Sequence, residues 1–303
     1  MRPVAAIDIG SNTVHLLVGL AKRDQTVEHL ASESELLELG REVRKHERIR
    51  DKKLRQLQSV LQDQLKVARR MGAKVLLLGA TGAMRRAKNG KSVVRQLTRN
   101  LEVPVQLLSS RAEAELAFRG SAPALDPDLP QVLIDSGGAS TEVTLTRGRR
   151  RMESSSMGVG ASLLCAELKH DPPGPLEWAR LSLRLADGLR VLPTAPRPAR
   201  AVAVGGAAHR IEELHGAGRG ARVDLPDLER IARRLLRHPS HRIAEATGIS
   251  RKKVVLLAAG ALVIHAVVCH YGLESVEIGH QGLRDGMILA YRSDGGNWWR
   301  YRR

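Results

Sequence analysis

Two stretches of this chain read alike, and the likeness limits what it can fold into. Ile7-Asp8-Ile9-Gly10-Ser11-Asn12-Thr13-Val14-His15-Leu16 can be laid on Ile134-Asp135-Ser136-Gly137-Gly138-Ala139-Ser140-Thr141-Glu142-Val143. In each, an apolar strand runs into Asp-x-Gly, turns over small residues and leaves as a second apolar strand, which is hairpin chemistry. A strand, an aspartate turn and a strand used twice predict two related α/β domains. Between them, residues 121–130 hold three prolines in ten positions and break helix and strand alike. The expected domains are therefore 1–124 and 125–303, with the last helices of the second free to pack back on the first.

The remaining elements follow from periodicity. Leu54, Leu57, Leu61, Leu65 and Ala68 recur at helical spacing, with Gly72 placed to end that helix. Val75–Leu78, Val103–Leu108 and Ala201–Val204 read as strands. Arg111–Arg119 reads as a helix with Ser109 or Ser110 as its N-cap. Helices are also expected around Arg180–Leu189, over Leu228–Arg237 and over Lys253–Tyr271. The apolar run Val254–Cys269 falls short of the ~20 residues that span a bilayer, so it predicts a buried helix and no membrane partner. His265 and Cys269 within it read as core residues.

Composition narrows the function. Of 303 residues, 43% are hydrophobic but only 2% aromatic, so the core must be Leu, Val, Ile and Ala. Stacking platforms for single-stranded nucleic acid are nearly excluded on that count. Forty-nine Lys and Arg against 32 Asp and Glu leave a net charge of +17, which draws polyanions. Residues 242–253 have the outline of a helix-turn-helix around Gly248, but the apolar run that follows argues against nucleic acid. Cys165 and Cys269 are too few for a disulfide framework or a cysteine-only zinc site. With Asp8 so early, no apolar leader is expected either, and the cytoplasm is the expected compartment. Homodimerisation stays open. Trp298, Trp299 and Tyr301 read as either a docking tail or a plain chain end.

Four strands end in small-residue turns: Gly10-Ser11-Asn12, Gly79-Ala80-Thr81-Gly82, Gly137-Gly138-Ala139-Ser140 and Gly205-Gly206-Ala207-Ala208. Glycine lets backbone N–H groups approach an anion, and consecutive amides make an anion nest. Taken as a set, these turns point to phosphate chemistry. Asp8 and Asp135 either hold a divalent cation such as Mg²⁺, which is bound by one or two carboxylates plus substrate phosphates, or cap their own turns. Glu113, in the first turn of its helix, is either a base that deprotonates water or a capping glutamate.

Together these blocks resemble the exopolyphosphatase and guanosine pentaphosphate phosphohydrolase (Ppx/GppA) family, in its short form without a further C-terminal helical domain. Residues 5–17 resemble its opening phosphate loop and residues 79–90 its second block. Residues 109–116 resemble its Ser-Gly-x-Glu-Glu-Ala block and residues 134–143 its Asp-x-Gly-Gly-Gly-Ser-Thr-Glu. Gly205-Gly206 and Gly282-Leu283-Arg284-Asp285-Gly286 resemble the late blocks.

The resemblance implies two ribonuclease H-like domains of the actin, Hsp70 and acetate kinase superfamily, with an interdomain cleft. It implies Mg²⁺-dependent hydrolysis of a terminal phosphoanhydride. Inorganic polyphosphate is the first substrate, with guanosine pentaphosphate or a weakened phosphate sensor as alternatives. Glu113 and Glu142 would be catalytic, and Asp8, Asp135 and Glu142 would serve the metal. Gly10, Ser11, Asn12, Thr81, Arg85, Gly137, Gly138, Ser140, Thr141, Gly205 and Gly206 would hold substrate. Ala139 stands where the family has a third glycine, which predicts a hindered backbone approach. Ala207 replaces a threonine, and Ala112 an acid.

Overall fold

The computed structural model describes residues 2–300 apart from 217 and 219. The chain divides into two compact units, residues 1–123 with 281–303, and residues 124–280. The first break falls at the proline-rich stretch. The second returns the end of the chain to the first unit, so residues 281–303 do not group with 125–280.

The first unit runs β1 (Val4–Ile9), β2 (Thr13–Ala21), β3 (Val27–Leu36), α1 (Leu39–His46), α2 (Asp51–Arg70), β4 (Val75–Ala80), α3 (Gly82–Arg86), α4 (Gly90–Leu101), β5 (Val105–Leu107) and α5 (Ser110–Ser121). The second runs β6 (Pro130–Ser136), β7 (Thr141–Arg147), β8 (Arg150–Ser156), α6 (Ala161–Cys165), α7 (Pro175–Leu189), β9 (Arg200–Val204), α8 (Gly206–His215), β10 (Arg222–Asp224), α9 (Leu225–Arg237), α10 (Ser240–Thr247), α11 (Arg251–His270) and β11 (Ser275–Ile278). The chain then closes with α12 (Leu283–Asp294) in the first unit.

The two sheets have the same plan. One is ordered β3-β2-β1-β4-β5 and the other β8-β7-β6-β9-β11, with β10 added at the edge. Corresponding pairs match in direction: β1/β2 and β6/β7 are antiparallel, β1/β4 and β6/β9 parallel. The β2/β3 and β7/β8 pairings each shift register, with the extra residues Leu30 in β3 and Met152 in β8, at a step after Val18 in one and after Leu145 in the other. Val18 and Leu145 each lie ten residues beyond their unit's aspartate. A bulge kept at the same offset is not required by hairpin chemistry, so it supports duplication of one ancestral unit.

Alternation along the strands decides each core. In β1, Ala5, Ile7 and Ile9 face the layer of α2 and α4, where Leu57, Leu61 and Leu97 are fully buried. Ala6 faces the other way, toward Leu108 and Leu116 beside α5 and Met287 and Ile288 of α12. Helix α2 buries Leu54, Leu57, Leu61, Leu65 and Ala68 as their spacing requires, and Gly72 follows at φ +78°. In the second unit α11 is the central helix. None of residues 254–268 is exposed, which leaves the outlined helix-turn-helix no recognition face to place in a groove. Its one departure from the expected core is Cys269, which is exposed, with Sγ 3.7 Å from Nε2 of a partly exposed His265.

Helix α7 is anchored at its start by a buried glutamate. Glu177 accepts backbone N–H bonds from Lys169, from His170 at 3.2 Å and from Gly174 at 2.9 Å. These donors hold its carboxyl down at about 2 from an ordinary 4.5. A depressed folded-state pKa gives stability that is complete above pH 4.5 and is lost as the pH falls toward 2. Acid titration followed by circular dichroism should show this loss in the wild type. Glu177→Gln should be less stable at pH 7 and flatter between pH 4.5 and 2.

Candidate active site

Each hairpin turn is set by the same local device. In a trans peptide the C=O and N–H point to opposite sides, so a loop whose carbonyls are occupied on one side offers its amides on the other. In the first unit the carbonyl of Ser11 accepts from Gly40 N–H, and that of Asn12 accepts from Leu37 and Glu38 N–H, at the start of α1. In the second unit the carbonyls of Gly137 and Gly138 accept from Ala161 and Ser162 N–H at the start of α6. Helices α1 and α6 follow the third strand of their respective sheets, so this arrangement is duplicated with the fold.

Around the first loop the structure gathers cations. The point where a Cβ on Gly82 would sit is 3.2 Å from Ser11 Oγ, 3.2 Å from Arg86 Nη1 and 3.8 Å from Arg85 Nη2. Without a side chain, Gly82 lets the Ser11 hydroxyl and the two guanidinium ends gather beside its Cα. Arg86 also donates to Ser11 Oγ at 3.2 Å. Burial, then the neighbouring Arg85 and Arg44 guanidiniums, push the Arg86 pKa below the ordinary arginine value. Packed like charge of this kind is relieved by an anion. The sequence reading omitted Arg86 and Arg44 from the site, although Arg86 lies next to Arg85 in the second block.

The acid of this cluster is Glu113. Ser109 caps α5 by accepting from Ala112 N–H at 3.1 Å, which places Glu113 in the first turn. Arg85 Nη1 donates to Glu113 Oε2 at 2.5 Å and to the Leu108 carbonyl at 2.9 Å. Arg85 therefore joins the carboxylate to the donor cluster beside Gly82. Asp8 lies at the end of β1, opposite His15 in the β1/β2 register. Arg284, at the start of α12, donates to the Leu16 carbonyl at 3.0 Å and to Ser32 Oγ at 3.3 Å. Burial pushes its pKa down, while the Asp285 and Asp8 charges pull it back up.

In the second unit Asp135 and Glu142 are directly opposite one another in the β6/β7 hairpin and so share a face. Ser156 Oγ donates to Glu142 Oε1 at 3.2 Å. Gly205 sits at φ +94°, where L side chains are strained, and its Cβ point is 3.3 Å from Asp135 Oδ1. The Gly205-Gly206 turn therefore lies against Asp135 and opens α8 beside it.

Two expected substrate contacts are corrected. Thr141 is fully buried, and its hydroxyl donates to the Val159 carbonyl at 2.7 Å. Strand alternation turns it away from the face that carries Glu142. Thr81 is also buried, with its hydroxyl on the Ile9 carbonyl at 3.3 Å and, more distantly, on Asp8 Oδ1 at 3.5 Å. It braces the aspartate and offers nothing outward. Ala139 does not have a positive φ, so replacing glycine there adds no backbone strain.

Among the described residues, no group of three or more His, Cys, Asp or Glu is placed to hold a metal alone. The donors present are carboxylate oxygens, and Asp135 with Glu142 form a pair. Hard oxygen donors in pairs suit Mg²⁺, whose shell is completed by water and substrate phosphates, better than they suit zinc.

The profile of the Ppx/GppA phosphatase family matches residues 20–293. An uncharacterized protein of Streptomyces coelicolor is 30% identical over 310 residues, covering 97% of this chain and 92% of its own. Exopolyphosphatase 1 of Mycobacterium tuberculosis is 30% identical over 299 residues, covering 94% and 87%. Among solved structures, an exopolyphosphatase from Cytophaga hutchinsonii superposes with a TM-score of 0.85 at 18% identity, covering 97% and 98%. The Aquifex aeolicus Ppx/GppA family member gives 0.82 at 21%, covering 97% and 99%. These likenesses identify the fold as the actin-like one. By its matched length and its curated relatives, the chain belongs to the Ppx/GppA phosphatase family.

Proposed function

We propose that this protein is a Mg²⁺-dependent exopolyphosphatase that removes the terminal phosphate of inorganic polyphosphate. The observation that carries the reading is the cluster of Ser11 Oγ and the Arg85 and Arg86 guanidiniums beside Gly82, in which Arg85 also holds Glu113. A terminal phosphoryl group bound between Ser11 Oγ and the Arg85 and Arg86 guanidiniums competes with Glu113 for Arg85. The freed carboxylate takes a proton from a water molecule as the water oxygen bonds to the terminal phosphorus. The P–O bond to the bridging oxygen breaks, giving orthophosphate and a chain shorter by one unit. Such a site works by positioning and by stabilising charge.

In the second unit Asp135 and Glu142 would hold Mg²⁺; Asp8 is the corresponding carboxylate of the first unit. Bound there, the ion would neutralise phosphate charge. In the first unit the Asn12 amide, and in the second Ser140, the Gly138 amide and the start of α8 at Gly205-Gly206, would receive further phosphoryl oxygens, whereas the Gly10 and Gly137 amides close their own turns on the Thr13 and Ser140 carbonyls. The net charge of +17 draws long anions, and a chain with so few aromatics has little to stack a guanine on. Both features support polyphosphate over the nucleotide.

The test is orthophosphate release from polyphosphate, guanosine pentaphosphate and ATP, with and without Mg²⁺. Fastest release from polyphosphate, abolished by chelation and weakened by salt, is expected. No release from any substrate would sink the proposal in favour of a phosphate sensor. Arg86→Ala is expected to raise KM for polyphosphate about tenfold or more, since a hydrogen bond between charged groups is worth about 1.5–3 kcal/mol. Its kcat should change less, which initial-rate kinetics would check.

A further inference from the structure

Tryptophan is scarce in this chain, at three residues, and two of them stand together at one cavity. Helix α12 stops at Gly295, which takes φ +57°, and a tight turn over residues 295–297 carries the chain back. Trp298 N–H donates to the Gly295 carbonyl at 3.1 Å, and Arg300 N–H to the Asn297 carbonyl at 2.9 Å. The turn buries Trp298 in the same core as Leu116 and Ala290 and leaves Trp299 partly exposed beside it. Between this turn and α5 a cavity of about 170 Å³ remains, wholly within the first unit. Its floor is apolar, from Ala112, Leu116 and Ala290 with the Trp298 ring. Its walls carry two carboxylates, Glu115 of α5 and Asp294 of α12.

We propose that this cavity binds a small organic ammonium ion, whose positive head takes the Trp299 face that Arg300 now covers. The ring already receives a cation. Arg300 Cζ lies 5.0 Å from the Trp299 ring centroid, within the range at which the negative face of an indole attracts positive charge. Arg300 is otherwise exposed, so its guanidinium returns to water at little cost when another cation replaces it. An alkylated ammonium suits the cavity better than a guanidinium does. Its carbon substituents cover the apolar floor, where burial of each is favourable, while its charge faces the ring and the carboxylates.

Charge selects the class of ligand. With Arg300 moved aside, the lining holds Glu115 and Asp294 against Arg119 alone, a net negative charge in a protein that is basic overall. An anion would meet both carboxylates. It would also have to take Arg119 from its present partners, Asp294 at 3.2 Å and the Ser293 hydroxyl at 2.7 Å. A neutral ring could stack on Trp299 but would draw nothing from the carboxylates. None of the residues lining the cavity belongs to the proposed phosphate site, so the inference is independent of the catalytic reading.

The test is isothermal titration calorimetry of the full chain at low salt. The probes are choline and its uncharged isostere, in which carbon replaces the quaternary nitrogen. Choline is expected to bind saturably, and the isostere about tenfold more weakly or less. Trp299→Leu should weaken choline binding by about tenfold, the loss of a partly desolvated cation–π contact, and Glu115→Gln should weaken it as well. Arg300→Ala should act in the opposite direction and tighten binding, because it removes the competing cation. Circular dichroism separates lost binding from lost folding. Arg300 is exposed, so its variant and the isostere comparison keep the test sound if Trp299→Leu folds poorly. Absence of saturable choline binding to the wild type would overturn the proposal. An isostere that binds as tightly as choline, or weaker binding by Arg300→Ala, would do the same. Binding to phosphatidylcholine vesicles without binding to free choline would also overturn it and assign the cavity to a lipid headgroup.

Discussion

Glu113→Gln is expected to lower kcat for phosphate release by about 10²–10⁴, the range for loss of a positioned general base. KM should move by no more than a few-fold. Glutamine keeps the shape of the side chain at the start of α5 and can still accept from Arg85, so the helix cap by Ser109 stays in place. What it cannot do is accept the proton from water. If the role is structural, the thermal midpoint should fall and kcat should hold. If the role is catalytic, kcat should fall and the midpoint hold. Glu113→Asp discriminates further, since it keeps the base but withdraws it by one methylene and should retain part of the rate. A kcat for Glu113→Gln equal to that of the wild type would remove this residue from the mechanism.

Gly286→Ala is expected to cost about 3 kcal/mol of stability, at the upper end for overpacking a rigid contact. The thermal midpoint should fall by roughly 6–12 °C for a unit of this size. The cause is backbone against backbone. A methyl on Gly286 would overlap the Leu116 carbonyl, and one on Gly120 would lie 2.7 Å from Gly286 N–H and overlap the Gly282 carbonyl. No side-chain rotation relieves such a clash, so α5 and α12 must separate. Because α5 carries Glu113, activity should fall along with stability, unlike in Glu113→Gln. Gly296→Ala, which meets nothing within 4 Å, is the control and should shift the midpoint little.

Much of the architecture was legible because it depends on local chemistry. The hairpin at Asp8, its copy at Asp135, the period of α2 and the Ser109 cap all follow from residues close in sequence. The elements that escaped are those stabilised from a distance. Towards the end of edge strand β3, Ser32-Glu33-Ser34-Glu35 is exposed on both faces, so there is no apolar alternation to read. Strand β8 is mostly exposed for the same reason. The Trp298 and Trp299 stretch proved to line a pocket with α5 and α12, while Tyr301 lies outside the described residues.

The sequence by itself determined that phosphate-type turns occur in a duplicated α/β chain with a large cationic excess. These are properties of residue type and short spacing, which need no fold to be read. The tertiary structure decided which hydroxyls and guanidiniums reach those turns. Thr81 and Thr141 sit in the right motifs but face inward, Thr141 because strand register assigns sides and Thr81 because its hydroxyl reaches the Ile9 carbonyl across the sheet end. Arg86 and Arg44 come to Ser11 only because α1 and α3 converge on the first loop. Position in a motif is local information. The direction of a side chain is set by packing partners dozens of residues away, and no reading of neighbours supplies them.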